Sequence, residues 1–177
     1  MKNYLFPVLL MFGFIVACTQ SGQGLAEGNK HQLVLKPFSD TALADTFKVA
    51  LIGETPADLL IRFSITAHNG KLIYHKDIKS GELIDNYKES IELKKQRDQM
   101  AFILNEYQLF LDDENFLEPA VTENENPDQY TPDKKFYEEL RQSGLNGFKY
   151  RTGKENNTYI AWSEKEKKVK TYYNCCK

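Results

Sequence analysis

The stretch that decides the fold is residues 61–75, IRFSITAHNGKLIYH. Apolar and polar residues alternate before the dipeptide Asn69-Gly70, as they do in a strand with one buried face. Asn-Gly is a strong signal for a two-residue hairpin turn, because both central positions of a type I′ turn need a positive φ. The sequence therefore predicts an antiparallel hairpin formed by residues 58–68 and 71–78.

The turn also sets which residues of the two predicted strands pair. Pairing His68 with Lys71 creates five further pairs, namely Ala67 with Leu72, Thr66 with Ile73, Ile65 with Tyr74, Ser64 with His75 and Phe63 with Lys76. Side chains alternate between the two faces of a strand, so one face is expected to carry Phe63, Ile65, Ala67, Leu72 and Tyr74. His68 and His75 are expected on the opposite, more polar face.

Further strands are expected on both sides of this hairpin. Residues 32–36 and 46–53 are short apolar runs with β-branched residues and predict two strands before it. Residues 148–152, 158–163 and 169–174 predict three strands near the end of the chain. Short polar segments join these last three runs, which indicates an antiparallel meander.

Helical periodicity appears between the two groups of strands. Over residues 80–113, apolar residues recur at helical spacing and predict two helices or one bent helix, with residues 94–99 as their junction or as a solvated face. A further helix is predicted over residues 132–143, with Thr131 as N-cap, Pro132 at the first helical position and Gly144 after the last turn. Its inward-facing residues are Phe136, Tyr137 and Leu140.

Strands, then helices, then strands predict a single α+β domain in which two or three helices pack on one face of an antiparallel sheet. The chain has 177 residues, of which 41% are hydrophobic, enough for one packed domain. The net charge of −2 gives no strong field to attract DNA or RNA, so no nucleic-acid partner is expected. A mean hydropathy of −0.54 argues against several membrane spans.

The N-terminus has the pattern of an export signal. Lys2 supplies one positive charge, residues 4–16 are almost wholly apolar, and Ala17 is the small residue that a signal peptidase needs beside its cut. The apolar run falls short of the roughly 20 residues that cross a bilayer as a helix, so a permanent transmembrane anchor is the weaker interpretation. The sequence Ile15-Val16-Ala17-Cys18 resembles the lipobox of bacterial lipoproteins.

The resemblance implies that residues 1–17 are removed and that Cys18 becomes a lipidated N-terminus, carrying acyl chains such as palmitate that hold the protein to the bilayer. In lipoproteins of this kind, Thr19 in place of Asp implies passage to the outer membrane, here facing the periplasm. The alternative is an ordinary secretory signal with a chance cysteine. Residues 18–31 are rich in Gly and small polar residues and predict a flexible tether, so the α+β domain is expected over residues 32–177.

Cys175 and Cys176 are adjacent, and the ring that a disulfide between neighbouring cysteines closes is strained and rare. Three functional hypotheses apply to them: a redox-active vicinal disulfide, a soft-metal site, or a bond to another chain in an oxidising compartment. The structural alternative is that one thiol packs under the sheet while the other is exposed or paired with another chain.

Two further features suggest binding. Aromatic residues concentrate in the final meander, and an outer strip containing Tyr159, Trp162 and Tyr172 is a candidate surface for a sugar or a peptide, although alternation places Tyr159 and Trp162 on opposite faces. Residues 112–133 contain eight acidic residues and no Lys or Arg. This stretch predicts a solvated acidic loop or a docking face for a basic partner.

No catalytic residue, metal site or cofactor can be assigned from the sequence. His68 and His75 are expected roughly 13 Å apart along the hairpin and so cannot share an ion. The chain has no GxSxG, P-loop, GxGxxG or HExxH motif. An enzyme is therefore the less favoured class, although a site assembled in space leaves no such motif.

Beyond the lipobox, the combination of tether, small α+β domain and Tyr-rich C-terminal strands is similar to that of small envelope lipoproteins. The leading hypothesis is a membrane-anchored, non-catalytic binding module on the periplasmic side, with an envelope protein or glycan as partner. A second is an envelope enzyme of thiol-redox or hydrolase type. A third is an inhibitor or immunity-type protein whose acidic loop faces its target.

Overall fold

The structure is a computed structural model that describes residues 31–87, 89 and 91–175. The signal at 1–17, lipidation site Cys18, nearly all of the tether at 18–31, and Cys176 lie outside the described residues. Within the described residues the chain forms two antiparallel sheets of four strands each, together with three α-helices. None of the helices in this part of the chain is both long enough and apolar enough to span a membrane.

The first sheet is a meander of four strands in chain order. They are β1 (His31–Pro37), β2 (Ala44–Ile52), β3 (Leu60–Thr66) and β4 (Leu72–Lys79). All four were predicted from alternation and β-branched content. The buried side chains of β2 and β3 alternate strictly with exposed or half-buried ones, which gives the sheet one core face and one outer face.

The predicted pairing of the hairpin is confirmed for the residues farther from the turn. Phe63 lies opposite Lys76, Ser64 opposite His75 and Ile65 opposite Tyr74, and then a bulge between Ile65 and Thr66 shifts the pairing by one residue. The predicted pairs nearer the turn are therefore wrong; the observed partner of Thr66 is Leu72.

The cause of this shift is the turn. Gly70 donates its N–H to the Ala67 carbonyl and Ala67 donates to the Lys71 carbonyl, so the loop has three residues, and only Gly70 takes a positive φ, of 85°. The predicted two-residue type I′ turn is wrong for this reason. The shift leaves Leu72 57% exposed, contrary to its expected place on the core face, whereas Ala67 is buried as expected and His68 is exposed.

Three helices follow or interrupt the strands. Two of them, α1 (Ser80–Tyr87) and α2 (Gln96–Gln108), correspond to the first of the two alternatives predicted over residues 80–113, two separate helices. The junction expected at residues 94–99 lies earlier in the chain, since α2 begins at Gln96. The third is α3 (Lys134–Ser143), which begins two residues later than predicted. Thr131 and Pro132 precede it.

The N-cap of α3 is Asp133, whose Oδ1 accepts hydrogen bonds from the backbone N–H groups of Lys135 and Phe136, each at 3.1 Å. Thr131 does not fill this role because its hydroxyl accepts from the Asp128 N–H instead. Lys170 donates to the other Asp133 oxygen at 2.8 Å, and this bond together with the cap lowers the pKa of Asp133. Gly144 ends the helix in the left-handed conformation, as predicted.

The second sheet has the order β5 (Phe116–Leu117), β6 (Gly147–Arg151), β7 (Asn157–Ser163) and β8 (Lys168–Cys175). The meander of its last three strands is confirmed; the two-residue β5 was not predicted. The α+β class is confirmed. The strands form two sheets, and each sheet supplies apolar side chains to a shared core.

This shared core lies between the two sheets. Phe47 and Phe63 of the first sheet contact Phe148 of the second, with ring centroids 5.3 and 5.0 Å apart, and all three are fully buried. Helices α1 and α2 add Leu83 and Ile103 to it.

A smaller hydrophobic cluster lies on the other face of the second sheet. There α3 packs with Phe136, Tyr137 and Leu140, all buried as predicted, against Ala161 and Tyr172 of the sheet. The second sheet is therefore covered on both faces, and the helices divide between two clusters instead of sharing one.

Candidate functional site

The site that the fold builds is a cavity of about 310 Å³ beside the smaller hydrophobic cluster, which we call the tyrosine pocket. Its walls are four tyrosines, Tyr137, Tyr159, Tyr172 and Tyr173. Three polar residues of one loop form the rim, Glu125, Asn126 and Asp128, and Leu117 and Ala120 complete the lining.

An irregularity in β8 brings two consecutive tyrosines to this site. Tyr173 lies opposite Tyr159 and Thr171 lies opposite Ile160, so Tyr172 is the extra residue of a bulge. A bulge suspends the alternation of side chains, which would otherwise send neighbouring residues to opposite faces. Both rings consequently contact Tyr159, with centroids 5.2 Å away for Tyr173 and 6.0 Å for Tyr172.

Tyr172 forms the buried floor and is held in one position. It is 3% exposed, and its hydroxyl donates to the Ala120 carbonyl at 3.0 Å. Gly147 makes this placement feasible, since a Cβ there would lie 2.8 Å from the Tyr172 hydroxyl oxygen and 3.0 Å from the Ala120 Cβ. Tyr137 reaches the same place from α3, with its ring centroid 6.2 Å from that of Tyr172.

All four phenols are neutral donors at physiological pH. Burial raises the pKa of Tyr159 and of Tyr172, and burial followed by the Glu125 carboxylate raises the pKa of Tyr137. Burial and the bond to Asp128 raise the pKa of Tyr173 to about 12.

The acidic rim is ordered by its own hydrogen bonds. Glu125 accepts from the Thr122 N–H at 2.7 Å, and Asp128 accepts from the Tyr130 N–H at 2.8 Å and from the Tyr173 hydroxyl at 2.9 Å. The loop predicted as solvated is thus fastened to β8, and it directs two carboxylates to the pocket.

Two hydroxyls of the pocket remain available to a ligand. Within the described part of the chain, the side chains of Tyr137 and Tyr159 make no hydrogen bond, whereas those of Tyr172 and Tyr173 do. The pocket therefore combines aromatic faces with two free hydroxyls and two carboxylates, an arrangement suited to holding a small group by contact and charge.

The candidate aromatic strip is divided by the fold. Tyr159 and Tyr172 line the same pocket, whereas Trp162 lies outside it and packs against both hydrophobic clusters. Sequence reasoning did not assign Tyr137 or Tyr173 to this site, because one lies on a helix and the other depends on the bulge. The function of the strip as a binding surface stays a prediction.

The cysteine hypotheses also stay predictions. Cys175 is the last residue of β8, lies opposite Asn157 and is disulfide-bonded. Cys176 lies outside the described residues.

A second, smaller cavity of about 90 Å³ lies beside α2 and β6. Its main polar feature is a bidentate ion pair in which Arg151 donates to Glu106 at 2.8 and 2.7 Å. Glu106 is 7% exposed, so this pair joins the helix to the second sheet. The space is too small for more than a few water molecules.

Two of the three histidines each contact a single carboxylate. His68 lies 3.5 Å from Asp45, and His75 lies 3.2 Å from Asp77. Among the described residues, no group of three or more His, Cys, Asp or Glu side chains is placed to hold a metal ion.

Comparison with models of protein families, with curated proteins and with solved structures finds no match to this chain.

Proposed function

We propose that this chain is a lipid-anchored protein of the bacterial envelope whose folded domain is a non-catalytic binding module, with the tyrosine pocket as its binding site. The observation that carries the proposal is the cavity itself. A volume of about 310 Å³ lies in the range of small-molecule sites. Four tyrosine side chains from one helix and two strands converge on it, and polar residues of an ordered loop border it.

The chemistry of the lining favours binding over catalysis. The raised pKa values of Tyr159 and Tyr172, caused by burial, keep these hydroxyls protonated, so they donate hydrogen bonds and do not act as bases near neutral pH. Tyrosine rings bury a large apolar area at a small entropic cost and leave a polar tip for the ligand.

The location of the protein rests on the signal Ile15-Val16-Ala17-Cys18. Acyl chains on Cys18 would hold the domain at the membrane, and Thr19 favours the outer membrane, with the domain in the periplasm. Replacing Cys18 by Ala should move the protein from the membrane pellet to the soluble fraction. Retention in the pellet after a carbonate wash would contradict the anchor.

An envelope glycan or protein is the proposed partner, and a pocket-filling variant tests the site. Asn126 is exposed on the pocket rim, so Asn126→Trp should fill the cavity without removing a packing contact. Asn124→Trp is the matched control, since Asn124 is an exposed residue of the same loop outside the pocket.

The full chain, purified in a non-ionic detergent, is titrated with soluble peptidoglycan fragments and used for photo-crosslinking in intact cells. Binding or crosslinking that Asn126→Trp abolishes and Asn124→Trp preserves supports the proposal. Binding and crosslinks that both variants retain equally would show that the pocket is not the site.

A further inference from the structure

We infer that the group of the partner that the tyrosine pocket recognises is an organic ammonium group, of the size of a trimethylammonium or alkylammonium headgroup. This inference rests on the proposal that the pocket is a binding site and assigns the chemical class of its ligand. Ring geometry, the charges on the rim and the size of the cavity lead to it.

The planes of the tyrosine rings that line the pocket are inclined to one another, so the lining offers ring surfaces in more than one orientation. The Tyr159 and Tyr173 planes meet at 86°, and those of Tyr159 and Tyr172 meet at 71°. Tyr137 adds a fourth ring inclined by 55° to that of Tyr172. A cation within about 6 Å of an aromatic centroid is attracted by the negative face of the ring, and cages of several rings recognise quaternary ammonium groups in this way.

The rim adds negative charge. Glu125 and Asp128 both line the pocket, and its described lining residues include no Lys or Arg. Arg141, which acts electrostatically on Tyr137, pairs with Glu138 at 3.2 Å. Burial raises the pKa of Tyr137 most, and the Glu125 carboxylate raises it further, while Arg141 lowers it.

The same features disfavour other ligands of similar size. Two carboxylates repel an anion across a few ångströms. A neutral sugar would gain from the rings but would leave the charge on Glu125 and Asp128 unused. An ammonium group contacts the rings with its methyl or methylene groups, and the two carboxylates balance its charge. Where the group carries N–H bonds, the hydroxyl oxygens of Tyr137 and Tyr159 can accept them.

The test compares choline with 3,3-dimethylbutan-1-ol, which has the same shape with carbon in place of the charged nitrogen. Saturation transfer from tyrosine ring protons to the methyl groups, measured on the full chain in a non-ionic detergent, gives a Kd for each probe. We expect choline to bind roughly 10-fold more tightly than the alcohol.

Variants that remove the negative charges of the rim test whether these charges cause the preference for choline over the alcohol. Glu125→Gln combined with Asp128→Asn should weaken choline binding by about 10-fold and leave the binding of the alcohol unchanged. Glu123→Gln is the matched control, because Glu123 is an exposed acid of the same loop outside the pocket. Gln and Asn keep a side-chain oxygen that can accept the hydrogen bonds made to Glu125 and Asp128, so thermal unfolding of the variants should stay close to that of the native chain.

A third probe, a short peptide containing one lysine, shows which kind of partner carries the ammonium group. Tighter binding of this peptide than of choline supports a protein partner, and tighter binding of choline supports a methylated ammonium group on another envelope molecule. Equal binding of choline and the alcohol, or failure of choline to bind, would overturn the inference of a cationic ligand. The proposed function is tested separately by comparing Asn126→Trp with Asn124→Trp, because the outcome of that comparison does not depend on the charge of the ligand.

Discussion

Phe63 should be the side chain whose loss costs this domain most. It is fully buried on β3, and five aromatic rings surround it at centroid distances between 5.0 and 6.1 Å, those of Phe47, Tyr74, Phe110, Phe148 and Tyr150. These neighbours come from both sheets and from the segment after α2, so collapse around the cavity left by Phe63→Ala would need all of them to move. We expect the free energy of unfolding to fall by about 4 kcal/mol.

Trp162 fluorescence reports on the second sheet and so tests whether the two sheets unfold together. This side chain is the only tryptophan in the chain and lies on β7 of the second sheet, whereas Phe63 lies in the first. With a urea m-value of about 2 kcal/mol/M, the midpoint should fall by about 2 M. Trp162 fluorescence and far-UV circular dichroism should shift together, because one core joins the sheets.

Leu72→Ala is the control, since Leu72 is 57% exposed on the adjacent strand and its truncation should change the free energy by less than about 0.5 kcal/mol. A Trp162 transition that keeps its midpoint while the circular dichroism shifts would show that the sheets unfold separately. A loss below about 1 kcal/mol for Phe63→Ala would equally refute the reasoning.

Three further predictions concern α3, the pocket floor and the ion pair. Gly147→Ala places a Cβ 2.8 Å from the Tyr172 hydroxyl and should cost about 1–3 kcal/mol in urea unfolding; native-like stability would contradict the packing described. Asp133→Ala removes the N-cap and should cost about 1 kcal/mol at pH 7. Because folding lowers the pKa of Asp133, the carboxylate contributes its full stabilisation above the unfolded pKa and loses it as pH falls below about 4. The melting temperatures of the variant and the native chain should therefore converge at low pH. A difference that stays constant with pH would contradict this role of Asp133. Arg151→Met leaves Glu106, which is 7% exposed, without its bidentate partner and should lower the free energy of unfolding in urea by about 3 kcal/mol. A loss of less than about 1 kcal/mol would show that the ion pair is not important for stability.

The strands and helices were predictable because each carries its own periodicity. Alternation around Phe63 and Ile65 sufficed for the outer register of the hairpin. The pairing near the turn was not predictable in the same way, because Asn69-Gly70 is compatible with a two-residue turn and with a three-residue loop, and these differ by one residue in register. Leu72 changes faces as a result.

The pocket depends on features that leave little local signal. Its rings come together through the bulge at Tyr172, the approach of α3 with Tyr137, and a two-residue strand before Ala120 that is too short to show alternation. Aromatic density near Tyr159 was visible in the sequence, and so was the acidity of residues 112–133. That these two features meet is a consequence of the tertiary fold.

Side chains on the two faces of β7 belong to different environments, so the pocket can change in sequence without changing the interior. Ile160 belongs to the interior shared by the two sheets, whereas its neighbour Tyr159 borders the pocket and is half-buried. Exchange of Tyr159, or of Tyr173 on the adjacent strand, alters the pocket wall and leaves the interior side chains in place. Gene duplication followed by such exchanges would yield a set of paralogues that share one scaffold and differ in the molecules they capture.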